Sequence, residues 1–213
     1  MSTTALVITG GGSVRRALPP GVTGALVIAA DGGVVEAHRL GLHVDVLVGD
    51  LDSASPDDVA TVESGGGAVE RHPTDKDATD LELALEHALG AGAGRVVVAG
   101  GDGGRLDHLF GNLTLLASPR WAPITIDAVI GAALIHVVRD EREMRGELGE
   151  LVSVFAVGGR AGGVTTQGLR WALHDAELEA GSSLGISNEF AAPDASVRVR
   201  TGAIVAIRPG GAA

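Results

Sequence analysis

The chain has 213 residues, no cysteine and a formal net charge of −11 at neutral pH. Its length allows one substantial core or two modest ones, and the lack of cysteine excludes a disulfide framework, a thiolate metal site and a cysteine nucleophile. The acidic balance disfavours nucleic acid and anionic membrane as partners. No apolar run approaches the roughly 20 residues of a membrane span, and MSTTALVITG has no basic leader, so a cytoplasmic protein is expected.

In chain order, Ala5–Thr9 reads as a strand ending in Gly10-Gly11-Gly12, and Ala25–Ala30 as a second ending in Asp31-Gly32-Gly33. A short helical stretch closes near Gly41. Val44–Val48 is a third, mostly β-branched strand, followed by a helix over Pro56–Glu63 with Ser55 as N-cap and Pro56 at the first helical position. Ala68–His72 is a fourth strand. Leu81, Leu85 and Leu89 recur every four residues through the helix Thr79–Leu89, and Gly90 supplies its stop. Arg95–Ala99 is a fifth strand, Leu106–Ala117 a helix and Ile124–Ala128 a sixth strand. Such alternation implies a largely parallel sheet with helices on both faces, a three-layer α/β domain over residues 1–130. Ligands of such a sheet gather at the carboxyl ends of its strands.

The pattern then changes. Ala132–Val138, Leu151–Val157, Val164–Thr166, Ser196–Thr201 and Ala203–Ile207 are short β-like runs between glycine-rich turns, which predicts an antiparallel β-sandwich over residues 131–213. Asp140–Glu150, DEREMRGELGE, reads as a solvated, charged connection.

The chemistry-bearing residues sit at the strand exits of the first half. Asp50 and Asp52 follow Gly49 with one residue between them. If the extended backbone continues past Gly49, the two carboxylates point the same way. Their repulsion is relieved by a cation of the Mg²⁺ or Mn²⁺ class, although an acidic turn ahead of a helix accounts for them equally. Asp31-Gly32 is a tight turn or a second acidic exit. In Thr74–Asp80, TDKDATD, Asp77 and Asp80 can cap the helix, yet three aspartates and Lys76 exceed what a cap requires. Gly100–His108, GGDGGRLDH, is the most specific: glycines let backbone N–H groups approach an anion, and Arg105 suits phosphate oxygens. On the helix that follows, Arg105, His108 and Asn112 share one face, while Leu106, Phe110, Leu113 and Ala117 share the adjoining apolar one. No Walker loop occurs, so a phosphate site here is of another type.

Together AADGG at Ala29–Gly33, GDLDS at Gly49–Ser53, TDKDATD and GGDGGRLDH, with GVTTQGLRWAL at Gly163–Leu173 and GSSLGISNEF at Gly181–Phe190, resemble the thiamine pyrophosphokinase family. Six pieces in the family's order cover nearly the whole chain. The resemblance implies transfer of a diphosphate from ATP to the hydroxyl of thiamine, in a homodimer of α/β nucleotide domains and β-sandwiches whose thiamine pocket is shared between subunits. It implies that Asp50, Asp52 and Asp80 hold Mg²⁺ and that Arg105 and Asp107 belong to the ATP site. Asp31, Gly32, Lys76, Asp77, His108 and Asn112 are further candidates around the nucleotide, and Trp171, Ser187 and Asn188 would line the thiamine pocket. The chain departs from the family at Val34-Val35, where Ala-Asn is common, and at Lys76, where some relatives carry glutamine.

Three other readings fit parts of the pattern. A haloacid-dehalogenase-like phosphatase would use Asp50-x-Asp52, but Ala54 stands where that family wants threonine or valine. A related diphosphokinase could act on another alcohol, such as a hydroxymethylpterin. A catalytically silent nucleotide- or thiamine-binding regulator is the third. Trp171 is either ordinary core or a surface that stacks on a cationic heterocycle, and Ser187-Asn188 is either an ordinary turn or part of a pocket.

Overall fold

A computed structural model describes residues 3–210, which divide into two compact units. One extends up to Asn112 and takes back Ile126–Gly131; the other comprises Leu113–Thr125 and the chain from Ala132 onward.

The first unit carries strands β1 (Thr3–Thr9), β2 (Leu26–Ala30), β3 (Val46–Gly49), β4 (Ala68–Arg71), β5 (Ala93–Gly100) and β6 (Thr125–Ile130), lying side by side in the order β6-β5-β1-β2-β3-β4. The pairs β1–β2, β1–β5, β2–β3 and β3–β4 are parallel. Helices α1 (Gly33–Arg39), α2 (Pro56–Ser64) and α3 (Asp80–Gly90) make the crossovers, and α4 (Leu106–Leu116) follows β5. Leu6 and Ile8 of β1 join Ala29, Leu47 and Val97 in one apolar cluster with Val34 and Ala37 of α1 and Val59 and Val62 of α2. Leu81, Ala84, Leu85 and Ala88, spaced three and four apart, are the buried stripe of α3, which packs against β1, β2, β3 and β5. None of them belongs to the α1–α2 cluster, so helices cover both faces of the sheet. Truncating fully buried Leu85 to alanine would cost about 2–5 kcal/mol. Ser55 and Asp58 close a capping box at the start of α2, with Pro56 at its first position, as the sequence implies.

The second unit is a sandwich of two sheets. One is ordered β12-β9-β14-β7 and the other β11-β10-β13-β8, from β7 (Ala133–Val138), β8 (Glu141–Arg145), β9 (Leu151–Ala156), β10 (Ala161–Gln167), β11 (Ala176–Leu178), β12 (Asn188–Glu189), β13 (Asp194–Arg198) and β14 (Ile204–Arg208). Their pairings are antiparallel. Val138, Val152, Val154, Ile204 and Ala206 from one sheet meet Met144, Val164, Leu178, Ala195 and Val197 from the other in a single buried cluster.

Two expectations change. Asp140–Glu150 is not a bare connection, because Glu141–Arg145 forms β8 in register with β13. Only Met144 of that strand is buried; its charged neighbours face water, where Arg145 pairs with Asp194 at 2.9 Å and Arg198 with Glu141 at 3.4 Å. One apolar residue in five gives no alternation to read, and a charged edge strand is a common guard against stray pairing. The apolar face of α4 is also only partly used: Leu116 and Ala117 are buried, whereas Leu106 is 77% and Phe110 67% exposed.

Candidate functional site

β1, β2, β3 and β5 run parallel, so their carboxyl ends and the loops that follow share one edge of the sheet. The backbone at that edge is unusual. Asp31 directly follows β2 at φ 44° and Leu51 follows β3 at φ 62°, both in the left-handed region. A leucine there is costly, on the order of 1–3 kcal/mol, and persists only where its surroundings hold it; the Leu51 side chain is buried in the α1–α2 cluster. The extended geometry expected beyond Gly49 therefore stops at Leu51.

The turn draws the acids together by another route. The Asp31 N–H donates to the Val48 carbonyl at 2.8 Å, and the Asp31 carboxylate accepts from the Ser53 N–H at 3.3 Å. The Asp52 N–H reaches Asp50 Oδ1 at 3.4 Å. One carboxylate oxygen each from Asp31, Asp50 and Asp52 lies within 4.8 Å of the others. This all-oxygen set suits a hard divalent cation such as Mg²⁺. Gly32 lies against the same loop, since a Cβ there would come within 3.1 Å of Ser53 Cβ.

Asp80 approaches from the first turn of α3, where Thr79 is the N-cap. Gly49 makes room for it: a Cβ at that position would sit 2.9 Å from Asp80 Oδ1 and 3.0 Å from Asp31 Cβ. Lys76 Nζ lies 3.2 Å from Asp80 Oδ1 and 3.4 Å from Asp50 Oδ2, bridging the two acids. Their ionisation diverges. Burial raises the Asp80 carboxyl, and repulsion from Asp50 and Asp31 adds to that, against the pull of Lys76. Burial also acts on Asp50, but the Asp52 N–H, the Lys76 ammonium and Thr74 outweigh it and hold Asp50 below the ordinary carboxylate range. Burial lowers Lys76, yet the two acids more than reverse this and keep it charged. Asp77, in the same loop, is exposed.

The glycine-rich exits of β1 and β5 meet backbone to backbone. A Cβ on Gly101 would fall 2.1 Å from the Gly11 carbonyl oxygen, so only glycine fits. Arg15, which sequence reasoning passed over, pairs with Asp102 at 2.7 Å and lowers its carboxyl. At the head of α4, Arg105 Nε donates to Asp107 Oδ1 at 3.1 Å, and this pairing holds the Asp107 carboxyl down at about 2. Arg105, Asp107 and His108 are exposed, and Asn112 is half-buried.

A separate cluster lies in the sandwich. Trp171 is 55% exposed, which removes the ordinary-core reading. Arg170 stacks over its ring with the guanidinium carbon 4.9 Å from the centroid, and the same guanidinium pairs with Glu189. Ser187 has φ 58°, and its N–H donates to Ser153 Oγ at 3.0 Å. Asn188 is buried, bonded to the Trp171 backbone. Asn188 is thus brought to Trp171 across 17 residues of sequence, with Ser187 its chain neighbour; Arg170 and Glu189 are the additions no motif singled out.

A model of the thiamin pyrophosphokinase catalytic domain matches residues 23–126, and a model of the thiamin pyrophosphokinase vitamin B1 binding domain matches residues 134–204. Thiamine pyrophosphokinase of Bacillus subtilis (strain 168) is 27% identical over 215 residues, covering 95% of this chain and 96% of that protein. A crystal structure of thiamine pyrophosphokinase from Bacillus subtilis superposes with a TM-score of 0.81 at 26% identity, covering 99% of this chain and 100% of the other. The structure of yeast thiamin pyrophosphokinase matches with a TM-score of 0.71 at 14% identity, over 97% of this chain and 86% of that one, a likeness of fold.

Proposed function

The chain belongs to the thiamin pyrophosphokinase family, and from that premise we propose that it transfers a diphosphate group from ATP to the hydroxyl of thiamine, with Mg²⁺, giving thiamine diphosphate and AMP. The observation that carries this reading is the convergence of Asp31, Asp50 and Asp52 at the strand exits of the unit matched by the catalytic-domain model. The same proposal makes the protein a cytoplasmic homodimer whose active sites draw on both chains. No helix among the described residues is long and apolar enough to cross a membrane.

The roles follow from the chemistry each side chain can perform. Asp31, Asp50 and Asp52 would hold Mg²⁺, with Asp80 at its side. Mg²⁺, when bound, supplies positive charge for the phosphate oxygens. In this reading Asp31, grouped with the acidic pair, would serve the metal rather than the nucleotide. Arg105 would exchange Asp107 for a phosphate, which its planar fork fits as well as it fits a carboxylate. Lys76, Asp77, His108 and Asn112 would complete the nucleotide surroundings, and Gly32 would admit the polyphosphate close to the backbone. In the transfer, the thiamine hydroxyl oxygen bonds to the β-phosphorus as the bond from that phosphorus to the α,β-bridging oxygen breaks. The bonding pair leaves with AMP, and the hydroxyl proton passes to a carboxylate or to water. Alignment and charge neutralisation supply most of the acceleration.

The direct test is to supply Mg-ATP with thiamine and separate the products by chromatography. Thiamine diphosphate and AMP should appear in equal amounts and only together. ADP or free phosphate instead, or AMP release without thiamine, would overturn the proposal. Turnover of a hydroxymethylpterin in place of thiamine would identify the other diphosphokinase reading.

A further inference from the structure

We propose that Asn188 is a positioning residue that locks Trp171 in place, and not a contact of the substrate. Asn188 is 2% exposed. Its Oδ1 accepts from the Trp171 N–H at 3.1 Å and from the Glu189 N–H at 2.9 Å, and its Nδ2 donates to the Trp171 carbonyl at 2.7 Å. A carboxamide has two acceptor lone pairs and two donor hydrogens. Both lone pairs and one hydrogen are consumed by backbone. The side chain acts as a substitute strand, pairing with both peptide groups of one residue as a β-neighbour would. The two N–H donors and the carbonyl also fix which way the amide faces, because the flipped orientation would oppose like groups.

A second anchor reinforces the first. The Arg170 N–H donates to the Glu189 carbonyl at 2.9 Å, Leu169 bridges Phe190, and Glu189 clamps the guanidinium that covers one face of the Trp171 ring. The backbone of Trp171 and one face of its indole are thus held, while the residue as a whole stays 55% exposed. An exposed tryptophan fixed in advance loses less freedom when a flat ring stacks on it, and affinity rises accordingly. The inference rests on the reading of Trp171 as the thiamine platform.

The protein has only two tryptophans, and the other, Trp121, is fully buried. In a Trp121→Phe background the emission therefore belongs to Trp171 alone. Fluorescence anisotropy and acrylamide quenching, without substrate, then read how firmly Trp171 is held. Asn188→Asp keeps the acceptor but sets a carboxylate oxygen against the Trp171 carbonyl. It should loosen Trp171 and raise the KM for thiamine at least fivefold, with the KM for ATP and kcat within about twofold of the parent. Glu189→Gln, which removes only the clamp on Arg170, should do the same more weakly, and serves if the Asn188 variant fails to fold. Unchanged Trp171 mobility with a raised KM for thiamine would make Asn188 a direct contact and overturn the proposal. Loosened Trp171 with unchanged thiamine affinity would leave the lock standing and overturn Trp171 as the platform. Mobility and KM both unmoved in the two variants would overturn the proposal outright.

Discussion

Lys76 reaches four residues forward to Asp80 at 3.2 Å while it also touches Asp50 at 3.4 Å, so the chain keeps a cation of its own among the strand-exit carboxylates. The pairing does not treat the two acids alike. Asp80 remains raised by burial and by its acidic neighbours, and Asp50 is held low. Opposite shifts in one ion-paired triad predict opposite consequences for two isosteric substitutions.

A group whose folded pKa is raised contributes stability below its unfolded value and loses it as pH rises through the folded value. Ionised Asp80 therefore opposes folding at neutral pH. Asp80→Asn in metal-free buffer should melt above the parent at pH 7, with the gain disappearing as the pH falls below the ordinary carboxylate range. Asp50 has the reverse sign: its stabilisation is present above the unfolded value and lost as pH falls through the folded one. Asp50→Asn should melt below the parent at pH 7. Thermal unfolding of both variants across pH checks this, and the same direction for both would show that Lys76 does not divide its charge as the geometry indicates.

Removing the metal is a separate test of the acidic set. Chelation should abolish transfer and leave the far-ultraviolet circular dichroism unchanged, because the sheet and its helices are built on apolar contacts rather than on the carboxylates. Asp52→Asn should also abolish transfer, since one of the three converging carboxylate charges proposed to hold Mg²⁺ is lost. Near-normal turnover of Asp52→Asn at ordinary Mg²⁺ concentrations would remove Asp52 from the metal set.

Arg105 is exposed and bound to Asp107, whose carboxyl stays ionised at every physiological pH because it lies at about 2. A phosphate held there, as proposed, would compete with Asp107 for the guanidinium. Arg105→Ala should lower kcat/KM for ATP by about 2 kcal/mol or more in transition-state stabilisation. Lysine should restore only part, having no planar two-pronged contact to offer. Full activity with Arg105→Lys, or normal activity with Arg105→Ala, would place the residue outside the phosphate site.

The sequence carried the strand–helix alternation, the N-cap of α2 and the clustering of acids at strand exits, because each is a local pattern; at α3 the cap is Thr79 rather than Asp77 or Asp80, and Gly90 is the last helical residue rather than the stop. It did not carry how the acids meet. Asp50 and Asp52 point the same way only if the extended backbone continues past Gly49, whereas Leu51 turns left-handed and Asp31 joins them from the neighbouring strand's exit. A left-handed leucine is imposed by burial, and local propensity points away from it. The adjacency of β2 and β3, with Ala30 opposite Val48, was the signal that could have paired Asp31 with Asp50. Likewise Met144 is a single apolar residue in a charged stretch and hides β8, while Asn188 shows its role only through hydrogen bonds to a residue 17 positions away.

The proposed sharing of active sites between two chains is testable without a structure of the dimer. If the sandwich of one chain serves the α/β unit of the other, neither unit alone and no monomer should be active. Trp171→Ala should raise the KM for thiamine by about five- to thirtyfold, the equivalent of losing about 1–2 kcal/mol of stacking on a charged ring, and should spare the KM for ATP. Chains carrying Asp52→Asn can then be mixed with chains carrying a disabling Trp171 change. In each mixed dimer one active site would receive both lesions and the other neither, so activity should recover in proportion to the mixed dimer formed. No recovery, with mixed dimers demonstrated by two affinity tags, would confine each site to a single chain. A well-behaved active monomer would end the shared-site proposal altogether.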